Sequence, residues 1–208
     1  ARIVRERFLA ADVAARYGEL YQRLGVQESM GRRAEGPGDR GAEPTTPPRA
    51  IDVLGLPLRP VDTQSLIDLA ISRTRAGIST FACYANAHTM NVARDNPRYR
   101  KVLCECDVLY ADGASVVWSS RFAEARLPER ITAADYFPRL ARAAADAGLT
   151  LYLLGGRPGI AAVAGESLKA EIPHLKIVGT HHGHFDLAES DRVIAEINVV
   201  NPEALGKR

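Results

Sequence analysis

Four short polar clusters contain the residues in this sequence best suited to chemistry. They are Asn86-Ala87-His88, Asp112-Gly113, Gly155-Gly156-Arg157-Pro158-Gly159 and Gly183-His184-Phe185. Each follows an apolar run, so each stands where a buried strand gives way to solvent. An aspartate there can take a proton from an attacking hydroxyl as a general base, or cap the helix that follows. Asp112 fits both readings. Asn86 fits a sugar-binding amide or a helix cap. The 155–159 turn has the form of a phosphate cradle: glycines between a strand and a helix N-terminus, whose free N–H groups and positive dipole end attract anions. It is neither the dinucleotide fingerprint nor a Walker sequence, and a plain β-to-α turn would need the same glycines. Arg130 and Arg157 suit either phosphate charge or solvent.

Other chemistries fit less well. His181, His182 and His184 lack zinc-ligand spacing and a partner cysteine or carboxylate cluster, so no metal and no cofactor is expected. His88 reads as a packed or capping side chain. A Gly-x-Ser-x-Gly nucleophile elbow is missing. Cys83, Cys104 and Cys106 are an odd count without a framework, which suits a reducing cytoplasm, and Cys104 and Cys106 read as small residues at a helix-to-strand junction. The net charge is +2. The nine basic and seven acidic residues of the first 50 leave the remainder with 18 of each sign. Nothing in that balance argues for a nucleic-acid partner, and none is expected, while local patches remain compatible with a membrane surface.

The elements that must position these clusters can be read in order. Residues 79–84 and 108–111 read as buried strands joined by helical sequence that breaks at Asn96-Pro97, a βαβ unit. Before them come a strand or hairpin at 51–58 and a helix at 62–76, with Asp62 as N-cap, Leu66, Ile67, Ala70 and Ile71 as its inner stripe, and Gly77 as its stop. After them come helices at 114–122 and 135–147, the second with Tyr136, Leu140 and Ala144 inward. A continuous apolar strand at 149–154 follows, then a helix to about 170, a strand at 176–180 and a last helix at 191–198. This alternation predicts an α/β, Rossmann-like, mostly parallel sheet with helices on both faces. Ligands of such sheets bind beyond the carboxyl ends of the strands, so the four clusters are expected in one crevice. Upstream, residues 1–30 read as an amphipathic helix, and residues 31–50, rich in Gly, Pro, Arg and Glu, as a disordered linker. The Rossmann-like domain is expected over 51–208.

Together these residues resemble the WecG/TagA/CpsF family of bacterial glycosyltransferases. The resemblance runs from about Ile51 to Asn201. It is carried by the turn from Tyr84 to His88, Ala111-Asp112-Gly113 and on to Val117, and Leu127-Pro128-Glu129-Arg130-Ile131. Asp135, the Leu-Leu-Gly-Gly-Arg-Pro-Gly run ending at Gly159, and Gly179 to Phe185 complete it. It implies inverting transfer from a UDP-sugar, of the N-acetylmannosamine type or a related hexose. The implied acceptor is a polyprenyl-diphosphate-linked sugar at the inner face of the plasma membrane, in teichoic acid or exopolysaccharide assembly, by a peripheral cytoplasmic protein compatible with a homo-oligomer. By resemblance Asp112 is the catalytic base. Asn86, His88, Gly113, Arg130, Asp135, Gly155, Gly156, Arg157, Gly183 and Phe185 line the donor and acceptor sites. Residues 1–30 are similar to the closing helix of a group-1, GT-B-type glycosyltransferase, as the tail of a preceding enzyme. Thr132-Ala133-Ala134 stands where the family usually has a glycine. After Asn201 the family continues with a further strand, a Gly-x-Pro-x-Gln-Glu motif and a basic tail, so this domain is expected to be incomplete at its C-terminus. The alternatives are a non-catalytic nucleotide-sugar-binding module and a ligand-free α/β scaffold.

Overall fold

Leu54-Gly55 turns the chain back on itself at the start of the fold. It joins β1 (Ile51–Val53) to β2 (Leu56–Leu58) as an antiparallel hairpin, with Asp52 Oδ1 accepting from Gly55 N at 3.0 Å. The computed structural model describes residues 45–122, 126–200, 202 and 204–207, the last four by their backbone. The expected helix over 1–30 and most of the expected linker lie outside them. The described residues divide into two compact units, one up to Thr132 and one from Ala133, and together they make an α/β, Rossmann-like fold.

In the first unit, α1 (Thr63–Arg75) starts as expected at Asp62, whose side chain accepts from Ser65 N at 2.7 Å. Leu66, Ile67, Leu69 and Ile71 are buried on it. The strands β3 (Ala82–Ala85) and β4 (Val108–Ala111) pair in parallel, Ala82 opposite Val108 and Ala85 opposite Ala111. Between them run α2 (Ala87–Asp95) and α3 (Pro97–Glu105). Asn96 closes one helix and caps the next, accepting from Tyr99 N at 3.0 Å. Pro97 occupies the first helical position, where its missing N–H costs nothing. Helix α4 (Ala114–Ser119) and a 3-10 turn (Ser120–Phe122) follow β4. Leu58, Ala85, Leu103, Leu109, Val116 and Leu127 fill the core. Cys104 is exposed on α3 and Cys106 is buried at its end.

Strand β3 begins three residues later than the apolar run suggested, and Arg73 is the reason. This arginine is buried. Its Nε donates to Thr80 Oγ1 at 2.6 Å, Nη2 to Ser79 O at 3.3 Å and Nη1 to Thr45 O at 2.9 Å. It also lies 3.5 Å from Asp107 Oδ1, whose other oxygen accepts from Phe81 N at 2.8 Å. Ser79 and Thr80 therefore serve the guanidinium instead of a neighbouring strand. Pro48 O is held similarly, by Arg59 Nη1 at 2.8 Å.

In the second unit, α5 (Ala133–Asp146) leads to β5 (Thr150–Leu154), then α6 (Ile160–Glu171), β6 (Lys176–His181), a 3-10 turn (Leu187–Glu189), α7 (Ser190–Val200) and β7 (Ala204–Lys207). All pairings are parallel in the order β6-β5-β7. Leu151 to Leu154 are all buried, as a central parallel strand requires. Gly165 of α6 packs 3.6 Å from the Leu153 side chain, measured from where its Cβ would stand. The adjacent Tyr152 has its phenol pKa raised, first by burial and then by Glu196 of α7. Neighbouring residues of a strand point to opposite faces, so α6 and α7 cover the two sides of this sheet.

Two expectations need correction here. The inner stripe of α5 adds Phe137, Ala141 and Ala145 to Ala144, with Leu140 partly buried and Tyr136 shielded enough that burial raises its phenol pKa. Small alanines allow the helix to approach closely, so its phase follows them and not the larger apolar side chains. And β7 is a strand where none was expected after residue 198.

Between β5 and β6 the register slips by one residue, so Gly179 falls opposite Tyr152. A Cβ on Gly179 would overlap the Tyr152 ring. Gly179→Ala is therefore expected to lower stability by about 1–3 kcal/mol through overpacking, read as a lower urea midpoint at unchanged m-value.

Candidate functional site

The carboxyl ends of β3 and β4 are held level by Asp112 N, which donates to Ala85 O at 2.8 Å. The next residue on each strand is then a polar one, Asn86 and Asp112, and the two side chains meet. Asn86 Nδ2 donates to Asp112 Oδ2 at 3.3 Å. Asn86 also caps α2: its Oδ1 accepts from Thr89 N at 3.0 Å, and Thr89 Oγ1 accepts from Asn86 N at 2.7 Å. This reciprocal box fixes the amide, so its remaining N–H group points at the aspartate by construction. Asn86 is therefore a helix cap, and the same side chain reaches Asp112.

Asp112 itself is not a cap. The residue at the start of α4 is Gly113, with no side-chain cap bond. Gly113 has φ +122°, where a side-chain-bearing residue is strained. That conformation turns the chain into α4 immediately after the aspartate. Among the described residues, the Asn86 amide is the one hydrogen-bond donor to the Asp112 side chain. A half-buried carboxylate with one donor retains lone pairs for an incoming hydroxyl.

Residues 127–131 close the same edge. Leu127 and Ile131 are buried, and Ile131 N donates to Ala111 O at 2.7 Å. Glu129 Oε1 accepts from Thr63 N at 2.6 Å and from the Thr63 hydroxyl, holding the segment to the start of α1. Arg130 lies between these anchors, exposed, next to Ile131.

In the second unit the other two clusters meet. Gly155 N donates to His181 O at 2.9 Å, and Gly156 O accepts from Gly183 N at 2.8 Å, with His184 Nδ1 3.0 Å away. Gly156 has φ +68°, and a Cβ there would stand 2.9 Å from Ile160 Cγ2. Helix α6 starts at Ile160 behind Gly159, without a side-chain cap. The Ile160 N–H donates to Arg157 O at 3.0 Å, and the N–H groups of the first turn receive no side-chain cap, as at an anion-binding helix end. Arg157 is exposed beside them, and Phe185 packs edge-on to His181 with ring centroids 5.5 Å apart.

Residues 51–206 match the model of the glycosyl transferase WecG/TagA/CpsF family. The chain belongs to that family.

Membership makes this WecG/TagA/CpsF chain a glycosyltransferase of cell-surface polysaccharide synthesis, which implies a nucleotide-sugar donor and a lipid-linked acceptor. The structure brings together Asn86, Asp112 and Gly113 in the first unit, and Gly155, Gly156 and Gly183 in the second. His88 sits exposed on the first turn of α2, and Asp135 is exposed on the first turn of α5. Tyr84 is the residue that sequence reasoning missed. It precedes Ala85 and is 43% exposed on β3. Its phenol pKa is raised by burial first and then by the Asp112 charge, so Tyr84 stays a neutral hydroxyl near the carboxylate. The signal was present in its place two residues before Asn86, on the same face of the strand, but a tyrosine in an apolar run reads as core. Among the described residues of this family member, no three His, Cys, Asp or Glu side chains converge as a metal site, and no helix is long and apolar enough to cross a membrane.

Proposed function

We propose that this chain transfers a hexose of the N-acetylmannosamine type from a UDP-sugar, with inversion, to a polyprenyl-diphosphate-linked sugar at the inner face of the plasma membrane. The observation that carries the reading is the Asp112 carboxylate: it stands at a strand end, is aimed by Asn86, and is not used to cap α4. In a single displacement the acceptor oxygen bonds to the anomeric carbon while the bond from that carbon to the UDP oxygen breaks. UDP leaves with the electron pair, and the hydroxyl proton passes to Asp112. Asn86 holds the carboxylate, and Tyr84 offers a neutral donor to a sugar or phosphate oxygen. Arg130 and His88 are the first unit's polar groups for substrate. In the second unit, Gly155, Gly156, Arg157, Gly183 and the start of α6 suit the UDP diphosphate, with Phe185 and Asp135 for the rest of the donor.

The test is UDP release from UDP-N-acetylmannosamine with and without a polyprenyl-diphosphate-linked acceptor. Acceptor-dependent release supports transfer. UDP binding without release would make the chain a nucleotide-sugar-binding module, and no UDP binding at all would leave an α/β scaffold. For the cradle, Gly156→Val should weaken UDP binding more than tenfold by calorimetry and lower stability by about 2 kcal/mol, from the positive φ and the Ile160 contact. A folded Gly156→Val protein with unchanged UDP affinity would remove the diphosphate from this turn.

A further inference from the structure

Strand register brings two aromatic and two polar residues together at the ends of β3 and β4. Tyr84 stands opposite Tyr110. Two residues further along, Asn86 and Asp112 are joined at 3.3 Å. Asn86 keeps an extended backbone, with φ −125° and ψ 177°, so the alternation of faces carries through from Tyr84. Ala85, Leu109 and Ala111 lie in one core cluster with Ala93 of α2 and Leu103 of α3. Tyr84 and Tyr110 therefore stand on the opposite face of the strand pair. There the two rings differ in their surroundings. Tyr110 is buried, while Tyr84 is 43% exposed. Their centroids are 6.5 Å apart with planes inclined at 50°, a separation at which aromatic pairs attract. Tyr110 thus braces the Tyr84 ring from inside. The Asp112 charge acts on the Tyr84 phenol, so the open ring and the carboxylate are neighbours.

We propose that Tyr84 selects the acceptor sugar: its ring receives the C–H face of the acceptor's pyranose while a hydroxyl of that sugar meets Asp112. The inference rests on the proposed function and deepens it by naming what recognises the sugar of the lipid-linked acceptor. The hydroxyl that yields its proton to Asp112 belongs to the acceptor. Two residues of a strand span only about 7 Å, and a hydroxyl bonds a carboxylate at about 2.7 Å. A sugar so bonded to Asp112 has its ring within reach of the Tyr84 side chain. A pyranose with equatorial substituents presents a flat C–H face that leaves water readily, and a braced aromatic ring matches it. Tyrosine also gives up little conformational freedom on contact, having only two side-chain torsions. An aliphatic side chain would cover similar area without matching a flat ring.

Two short-chain probes isolate the sugar: farnesyl diphosphate, and farnesyl diphosphate carrying N-acetylglucosamine, whose ring substituents are equatorial. Binding to the full chain is measured by calorimetry without donor, for the parent, Tyr84→Leu and Tyr84→Phe. Tyr84→Leu keeps an apolar side chain on the strand but no flat ring. It is expected to bind the sugar-bearing probe about tenfold more weakly, from the lost contact of one ring face. Tyr84→Phe keeps the ring and should stay within about threefold of the parent. Farnesyl diphosphate alone should bind all three proteins equally. In transfer assays Tyr84→Leu should raise the KM for acceptor about tenfold and leave the KM for the UDP-sugar unchanged. Circular dichroism confirms that both variants fold. A folded Tyr84→Leu chain that binds the sugar-bearing probe as the parent does would overturn the proposal. So would equal weakening of both probes, since Tyr84 would then only shape the site. A loss in Tyr84→Phe as large as in Tyr84→Leu would give the contact to the hydroxyl and end the stacking role. A parent that does not bind the sugar-bearing probe would also overturn it. The binding measurements need no turnover, so their failure is distinct from a failure of acceptor-dependent UDP release.

Discussion

Asp112→Asn is expected to lower kcat by about 10²–10⁴-fold while leaving UDP affinity nearly unchanged, because it removes the group that accepts the hydroxyl proton and little else. Asparagine has the same shape, and rotating its amide presents an oxygen to Asn86 Nδ2, so the 3.3 Å contact survives. Helix α4 does not depend on the side chain, since Gly113 and not Asp112 stands at its start. Stability should therefore change by less than about 0.5 kcal/mol. A second readout separates chemistry from architecture. The Asp112 charge contributes to the raised pKa of Tyr84, so the Tyr84 phenol of the variant should titrate at lower pH than in the parent, seen by its ultraviolet absorbance. If kcat holds near the parent value while the Tyr84 titration moves, Asp112 is a neighbour of the site and not its base.

Arg73→Met is the largest expected loss of stability, about 3 kcal/mol. Methionine retains the length of the arginine stem but removes three hydrogen bonds and the pairing with Asp107. Breaking a buried pair is costly chiefly because the surviving charge is stranded. Asp107 is partly hydrated, with its side chain 25% exposed, and keeps Phe81 N as a donor, so the low end of the usual range applies. A domain is stable by only about 5–15 kcal/mol, which makes this change easy to see in a urea midpoint. Adding Asp107→Asn to the variant should restore part of the loss, since the stranded charge is then gone. A double-mutant cycle measures that coupling; a value near zero would mean that water already screens the pair.

How far the sequence could be read depended on whether an element's cause was local. Strand β4 was legible to the residue because four consecutive side chains are buried on both faces and the run ends at a charged residue. The cap at Asn86 was legible because Asn-x-x-Thr is a local pattern; its bond to Asp112 was visible only as the shared position of two strand ends. The start of β3 was misplaced because Arg73, six and seven residues before Ser79 and Thr80, lies on a helix, where an arginine ordinarily faces water. The phase of α5 was misread because alanine scores weakly as apolar, although three alanines set the contact. Tyr84 was overlooked for the same kind of reason, since its environment is made by the partner strand and by Asp112. Strand β7 had no local signal at all. Four residues that include a glycine and a lysine become a strand because β5 offers them a vacant edge.

That last arrangement bears on how the protein is made. β5 lies between β6 and β7, and β7 follows every other element of its unit in the chain. During synthesis β5 and β6 can pair as soon as both have emerged, but one side of β5 keeps its row of unpaired N–H and C=O groups until residue 207 is free. Parallel pairing between such distant segments is slow, since a long loop must close before any contact rewards it. A buried, uncharged strand with an open edge is also a template for another nascent chain. The interval between release of β6 and arrival of β7 therefore leaves β5 with an open edge, and slowing translation there is expected to lower the soluble yield.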